Sequence, residues 1–139
     1  MTRPGVAASS SPVAYLDSSA LVKLIVVEAE TAALRRELLR WPHRVSSALT
    51  AVELTRAAQR IGPHAVPLAA RVPAGIDLLS IDAVVPAAMR VGSNLLRSLD
   101  AIHLATAASI SGELQALITY DRRILADAQT MGLPVLAPR

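Results

Sequence analysis

Short apolar runs alternate along the chain with longer stretches in which apolar and polar residues recur at helical spacing. Five apolar runs, each bounded by polar or turn-forming residues, predict buried strands: VAYLD, RVSS, GIDLLSI, ALITY and LPVLAP. Between these runs, apolar residues recur every three or four positions, which predicts helices. Strands that alternate with helices favour a parallel sheet with helices on both faces. The pattern therefore predicts a three-layer α/β/α fold around a central, mostly parallel sheet of four to five strands.

The predicted helices begin and end at recognisable signals. The helix of SSALVKLIVVE directly follows the first strand, and one of its serines is expected to cap it. The next two helices stop near prolines, EAETAALRRELLRW at Trp41-Pro42 and ALTAVELTRAAQRI at Gly62-Pro63. The remaining predicted helices are HAVPLAARV, DAVVPAAMRVGS, LLRSLDAIHLATAASISG and DRRILADAQTMG.

Length and composition indicate one domain and favour one cellular location. The 139 residues are enough to bury a core without disulfides. Residues 1–12, rich in Ser, Pro, Gly and Ala, predict a disordered tail, which leaves residues 13–139 as the domain. Cysteine is absent, and no apolar run approaches the roughly 18 residues of a membrane span. We therefore expect a soluble cytoplasmic protein with no membrane contact.

The charge balance favours an anionic partner without identifying it. The formal net charge is +3, and Lys23 is the single lysine among otherwise arginine cations. Arginine grips phosphate and carboxylate groups through two parallel hydrogen bonds. An arginine-rich and alanine-rich composition is equally typical of a GC-rich genome, so charge alone decides no function.

Two acids follow predicted strands and two more lie on predicted helices. Asp17 and Asp121 come directly after VAYL and ALITY, and the carboxyl ends of parallel strands share one edge of a sheet. Asp100 shares a helical face with apolar residues, where an acid is uncommon unless it is paired or functional. The alternative to a functional role is an ion pair with Arg97 or His103. Glu53 borders an apolar stripe, and a salt bridge to Arg56 would explain an acid at this position as well as a catalytic role would.

Four carboxylates near one sheet edge need a counter-charge. Two unit charges about 4 Å apart repel by about 4 kcal/mol at an effective dielectric of about 20, so such a cluster must protonate or bind a cation. Oxygen ligands without cysteine favour magnesium or manganese. Such cations activate water and hold a phosphoryl oxygen during in-line displacement. Together with the arginines, the acids indicate phosphodiester hydrolysis.

Four segments resemble, in order and spacing, the acidic motifs of PIN-domain ribonucleases, and specifically of VapC-type toxins: YLDSSALVKL, TAVELTRAAQR, LRSLDAIHLATA and LITYDRRIL. The resemblance covers residues 13–137. The residues that match the family's catalytic, metal-binding acids are Asp17, Glu53, Asp100 and Asp121. Ser19 and Thr119 match supporting hydroxyls beside the first and last acids, although Ser19 could equally serve only as a helix cap and Thr119 only as a strand end.

The resemblance implies a PIN domain that acts as a magnesium-dependent endoribonuclease, with manganese as a substitute. It also implies a homodimer, neutralisation by a VapB-type antitoxin, and tRNA or rRNA as the substrate. His103, inside the third motif, is expected to be a core or helix-face histidine rather than a catalytic one. Arg122 and Arg123 fit contacts to RNA phosphate or antitoxin acids as well as they fit a solvated helix start.

Other functions compete with this interpretation. A phosphoacceptor receiver domain would need paired acids after the first strand and a late lysine, whereas the single lysine here is Lys23. A noncatalytic RNA- or protein-binding module on the same fold would gain from losing the negative cluster. A metal-dependent DNA nuclease would need the same acids and stays open.

Overall fold

Five strands form one sheet in the computed structural model, which describes residues 12–139. The strands are β1 (Val13–Leu16), β2 (His43–Ser47), β3 (Asp77–Leu79), β4 (Leu114–Ile118) and β5 (Val135–Leu136). Their order is β3-β2-β1-β4-β5, and every neighbouring pair is parallel. The sheet confirms the predicted parallel architecture, with all five predicted strands present. The predicted disordered tail lies, except for Pro12, outside the described residues.

Seven α-helices connect these strands within the described residues. They are α1 (Ser18–Leu21), α2 (Thr31–Leu38), α3 (Leu49–Ile61), α4 (Val66–Arg71), α5 (Val85–Ala88), α6 (Ser98–Ser109) and α7 (Arg122–Thr130). Short 3-10 turns extend or flank α1, α4 and α5. None of the helices in residues 12–139 has the length and apolar composition needed to span a bilayer.

The sheet separates two apolar clusters, which gives the predicted three layers. Alternate residues of a strand face opposite sides of a sheet. On β1, Leu16 therefore joins a cluster with Leu34 of α2, whereas Tyr15 joins a cluster with Leu104 of α6. Helices consequently cover both faces, and β1 lies at the centre of the sheet.

The first helix is much shorter than SSALVKLIVVE predicts, and no serine caps it. Asp17 is the N-cap, because its Oδ1 accepts a hydrogen bond from the Ala20 N–H at 3.1 Å. After Leu21 the chain tightens into a 3-10 turn. The Thr31 hydroxyl, at the start of α2, then donates to the Lys23 carbonyl at 2.8 Å, which gives that carbonyl a side-chain partner. A tertiary hydrogen bond thus replaces the helical ladder that the apolar pattern predicted.

The helix predicted over DAVVPAAMRVGS is also short. A 3-10 turn at Asp82–Val84 precedes α5, which ends at Ala88. Gly92 then adopts a φ of +75°, and a side-chain Cβ there would lie 2.8 Å from Asp127 Oδ2. The Asp127 carboxylate accepts the Ser93 N–H at 3.0 Å, so this segment is held against α7 instead of continuing as a helix.

The core tolerates truncation poorly at Leu34 and easily at Leu39, five residues away. We expect Leu34→Ala, in a fully buried side chain, to lower the free energy of unfolding by about 2–5 kcal/mol. Leu39→Ala is the matched control, because that side chain is 83% exposed and its loss should change stability by less than about 0.5 kcal/mol. Urea unfolding of both variants measures the difference, and equal losses would contradict the assignment of the core.

Candidate active site

Asp17 lies at the carboxyl end of the central strand with its carboxylate almost fully enclosed, at 1% exposure. Its backbone N–H donates to the Ile118 carbonyl at 3.3 Å, which joins the ends of β1 and β4. Besides the cap to Ala20, Oδ1 accepts from the Ser19 hydroxyl at 2.7 Å, and Oδ2 accepts from the Thr119 hydroxyl at 2.6 Å. Burial raises the pKa of Asp17 above its ordinary value, although these donors oppose that shift.

Thr119 connects the first acid to the last. Its hydroxyl donates to Asp17 and accepts the backbone N–H of Asp121 at 3.1 Å. Ser19 makes a parallel connection, because its hydroxyl also accepts the Tyr120 N–H at 2.9 Å. Both hydroxyls therefore join α1, which follows β1, to the loop that follows β4.

Asp121 is fixed by the helix that it begins. Its Oδ1 accepts the N–H groups of Arg123 at 2.9 Å and Ile124 at 3.0 Å, as an N-cap carboxylate does. The negative charge is also favourable at this helix N-terminus. Among the described residues, Oδ2 has no hydrogen-bond partner, so one oxygen of Asp121 is available to a ligand.

Asp100 lies in the first turn of α6 and is half-buried. Within residues 12–139 its carboxylate forms no ion pair with either Arg97 or His103. Burial raises the pKa of Asp100, and the negative charge of Asp121 raises it further. The charges of Asp17 and Glu53 act in the same direction, while His103 opposes them. Asp100 is therefore an incompletely compensated charge within electrostatic range of the other three acids.

Glu53 pairs with a histidine and not with Arg56. Its Oε1 lies 2.6 Å from Nε2 of His103, and Nδ1 of the same ring lies 2.7 Å from the Tyr15 hydroxyl. His103 is buried, as a core histidine would be, but its contact with Glu53 was not expected. The helical spacing of the sequence pointed instead to a pair with Asp100, which His103 does not form among the described residues.

Four arginines lie on the same helices as two of the acids or directly after them, and they do not neutralise these acids. Arg56 and Arg60 line a cavity of about 400 Å³ whose wall includes Glu53. Arg122 and Arg123 are exposed at the start of α7, directly after Asp121. Among the described residues, none of these arginines forms an ion pair with any of the four acids.

The four carboxylates fit a hard divalent cation in donor type and in charge. They supply only oxygen ligands, and the like-charge interactions at Asp100 favour a bound cation. As placed, however, residues 12–139 contain no group of three or more His, Cys, Asp or Glu side chains close enough to hold a metal ion. The four acids thus influence one another electrostatically without forming a completed ligand set.

Comparison with known proteins identifies the fold and the family. Residues 14–129 match the family model described as PIN domain. Ribonuclease VapC35 of Mycobacterium tuberculosis is 46% identical over 132 residues, which cover 89% of this chain and 96% of that protein. Such identity over nearly the full length of both chains shows common membership of a family.

Two solved structures share the fold at lower identity. The toxin VapC20 of Mycobacterium tuberculosis, described as Sarcin-Ricin loop cleaving, superposes with a TM-score of 0.68 at 17% identity over 90% of this chain and 99% of that one. A chain of a toxin-antitoxin complex from Klebsiella pneumoniae gives a TM-score of 0.64 at 24% identity over 91% of this chain and 98% of that one. With the acids, the parallel sheet and the family match in agreement, the chain belongs to the PIN domain family, among the VapC-type ribonucleases.

Proposed function

We propose that this chain is the toxin of a toxin–antitoxin pair and a magnesium-dependent endoribonuclease that hydrolyses RNA phosphodiester bonds. The observation that carries the proposal is the hydrogen-bonded line from Asp17 through Thr119 to Asp121, with the incompletely compensated Asp100 beside it. The relatives named ribonuclease support the reaction class.

The proposed site consists of four acids: Asp17, Glu53, Asp100 and Asp121. These four would hold magnesium, or manganese in its place. When bound, the cation supplies positive charge at the phosphoryl oxygens and activation of water for in-line attack.

The chain's own hydrogen-bond donors orient the carboxylates. Donors from Ser19 and Thr119 fix the carboxylate plane of Asp17. The backbone N–H groups at the start of α7 hold Asp121 through one oxygen and leave the other to a ligand. Preorganisation of this kind removes the cost of ordering ligands at the moment of reaction.

The substrate and partner follow from the cations around the acids. Arg56 and Arg60 beside Glu53, and Arg122 and Arg123 beside Asp121, suit the phosphates of tRNA or rRNA. The same side chains suit acidic residues of a VapB-type antitoxin that covers the edge. The Klebsiella pneumoniae neighbour, described as a toxin-antitoxin complex, supports this kind of partner. We place the activity in the cytoplasm, where such RNA is present.

We also propose that the protein forms a homodimer. Exposed apolar side chains cluster around α5 and the segment before α6, with Val85 at 45%, Met89 at 79% and Leu95 at 77% exposure. Exposed apolar surface of this kind supports association with another chain. A noncatalytic binding module is disfavoured, because such a module would gain nothing from keeping Asp100 uncompensated. A DNA nuclease needs the same acids, but the names of the relatives favour RNA.

Removal of divalent cations should abolish RNA cleavage. Purified protein should cleave RNA with Mg²⁺ or Mn²⁺ and stop on addition of EDTA, because the carboxylates alone repel phosphate. Gel analysis of a structured RNA, with excess Mg²⁺ added back after EDTA, measures the effect. Cleavage that persists in chelator would contradict the mechanism.

Asp100→Asn should separate stability from activity. RNA cleavage should fall by at least about 100-fold, because loss of a ligand exceeds the 10- to 100-fold typical of outer partners. The metal-free variant should nevertheless be as stable as the wild type, or more stable by up to about 1 kcal/mol, a small figure because solvent screens a half-buried carboxylate. Magnesium should raise the Tm of the wild type more than that of the variant.

The sign of the stability change depends on pH. Burial and neighbouring charge raise the pKa of Asp100 in the folded chain, so its contribution is most favourable below the unfolded pKa of about 3.9 and is lost as the pH rises through the folded value. The advantage of Asp100→Asn should therefore be present at pH 7 and narrow toward pH 4. Asp77→Asn, in an exposed acid at the opposite end of β3, is the control. A strongly destabilised Asp100→Asn that still cleaves RNA would remove Asp100 from the site.

Growth should report the toxin function independently of chemistry in vitro. Induced expression of the wild type alone should arrest a bacterial host, and coexpression of an antitoxin encoded beside its gene should restore growth. Asp100→Asn expressed to the same level should be harmless. If the wild type is harmless while the purified protein cleaves RNA, the nuclease assignment survives and the toxin assignment does not.

A further inference from the structure

His103 connects the core of the sheet to one of the four acids. Its side chain is 1% exposed, and both ring nitrogens are engaged, with Nδ1 2.7 Å from the Tyr15 hydroxyl and Nε2 2.6 Å from Glu53 Oε1. Tyr15 is itself fully buried in β1, two residues before Asp17. The ring therefore contacts β1 and α3 from its own position on α6, and these elements carry three of the acids.

The Glu53 carboxylate sets the proton positions in the hydrogen-bonded series Tyr15–His103–Glu53. An ionised Glu53 can only accept a hydrogen bond, so Nε2 carries the proton that it donates. In the neutral ring, Nδ1 then accepts from the Tyr15 hydroxyl. The fully buried Tyr15 hydroxyl is the donor that reaches this nitrogen, at 2.7 Å. The series thus delivers one N–H to Glu53 from a fixed direction.

Glu53 has no other local support among the described residues. Asp17 accepts three hydrogen bonds and Asp121 accepts two from backbone N–H groups, whereas Glu53 accepts only from His103. Its side chain is 18% exposed beside an open cavity, and it has more rotatable bonds than an aspartate. Without the histidine, its carboxylate would sample several rotamers away from the edge.

We propose that His103, itself fixed by Tyr15, is a positioning residue that holds the Glu53 carboxylate at the acid edge. The inference rests on the proposed function, in which Glu53 helps to hold the divalent cation. Carboxylate ligands are generally oriented by such outer hydrogen bonds, and loss of an outer partner typically weakens metal binding or activity by about 10- to 100-fold. His103 would thereby act through Glu53 and not on the RNA.

Two isosteric substitutions separate positioning from packing. In His103→Gln the amide reaches the position of Nε2 and still donates to Glu53, whereas in His103→Asn it matches Nδ1, reaches Tyr15 and leaves Glu53 without a donor. We expect His103→Asn to weaken Mn²⁺ binding, measured by calorimetry, by at least about 10-fold, and His103→Gln to stay within about threefold of the wild type. The Mg²⁺ concentration for half-maximal RNA cleavage should shift in the same order.

Controls distinguish this effect from general damage. His43→Asn, in an exposed histidine at the start of β2, should leave Mn²⁺ binding unchanged. In a Glu53→Gln background, His103→Asn should add no further loss, because the residue through which it acts is already altered. Equal Mn²⁺ affinity in the Asn and Gln variants, or losses that simply follow their melting temperatures, would overturn the inference.

The wild-type chain provides a test that does not depend on a variant folding. The chain has three histidines, so the imidazole ¹⁵N resonances are readily assigned. Saturating Mg²⁺ should shift the Nε2 resonance of His103 and leave exposed His43 and His64 unchanged. An unmoved His103 resonance would refute the positioning role.

The outcomes distinguish this inference from the proposed function. Wild-type protein that binds no Mn²⁺ and cleaves RNA in chelator would overturn both. Metal-dependent cleavage with an unmoved His103 resonance would overturn the inference alone.

Discussion

Burial of the Asp17 carboxylate at the end of the central strand is the constraint around which the rest of the acid edge is built. A buried charge is costly unless hydrogen bonds compensate it, and Asp17 receives them from Ser19, Ala20 and Thr119. Ser19 and Ala20 lie in α1, directly after β1, and Thr119 lies in the loop after β4. Parallel pairing of these strands brings the two segments to the same edge, so the sheet topology supplies donors that one segment alone could not.

The other acids are held by different kinds of hydrogen-bond donor, and one of them has no such donor. Asp121 is held by backbone groups that exist wherever a helix begins, and Glu53 is held by a buried histidine. Asp100 has no comparable support, and its neighbours raise its pKa. The edge therefore combines three oriented carboxylates with one whose charge is uncompensated, which is the distribution expected where a cation completes the balance.

The parallel sheet could be predicted from the sequence, because it follows from local patterns, whereas the four-acid site stays a prediction. Apolar runs and turn residues mark strands such as Val13–Leu16, and acids directly after strands must lie at the carboxyl edge. Helix lengths were less predictable. The chain after Leu24 leaves the helix because the Thr31 hydroxyl binds the Lys23 carbonyl, and no periodicity encodes that tertiary contact.

The partner of Glu53 was missed for a related reason. Helical spacing draws attention to neighbours on the same helix, such as Arg56, whereas His103 is fifty residues away on another element. Its interpretation as a core histidine was correct about burial. What the pattern could not supply is the direction of the ring, which Tyr15 in β1 sets from the opposite side.

The arrangement of cations gives the acid edge its functional character. Arg56, Arg60, Arg122 and Arg123 lie around the edge, yet within the described residues none of them pairs with the four acids. A direct ion pair would neutralise both partners, leaving neither a cation to meet phosphate nor a free carboxylate oxygen to hold metal. Under the proposed function, separation of the two charges leaves arginines to attract a polyanion and carboxylates to hold a divalent cation. His103 reaches these carboxylates from the core, and its Nε2–H orients Glu53 while both ring nitrogens stay engaged.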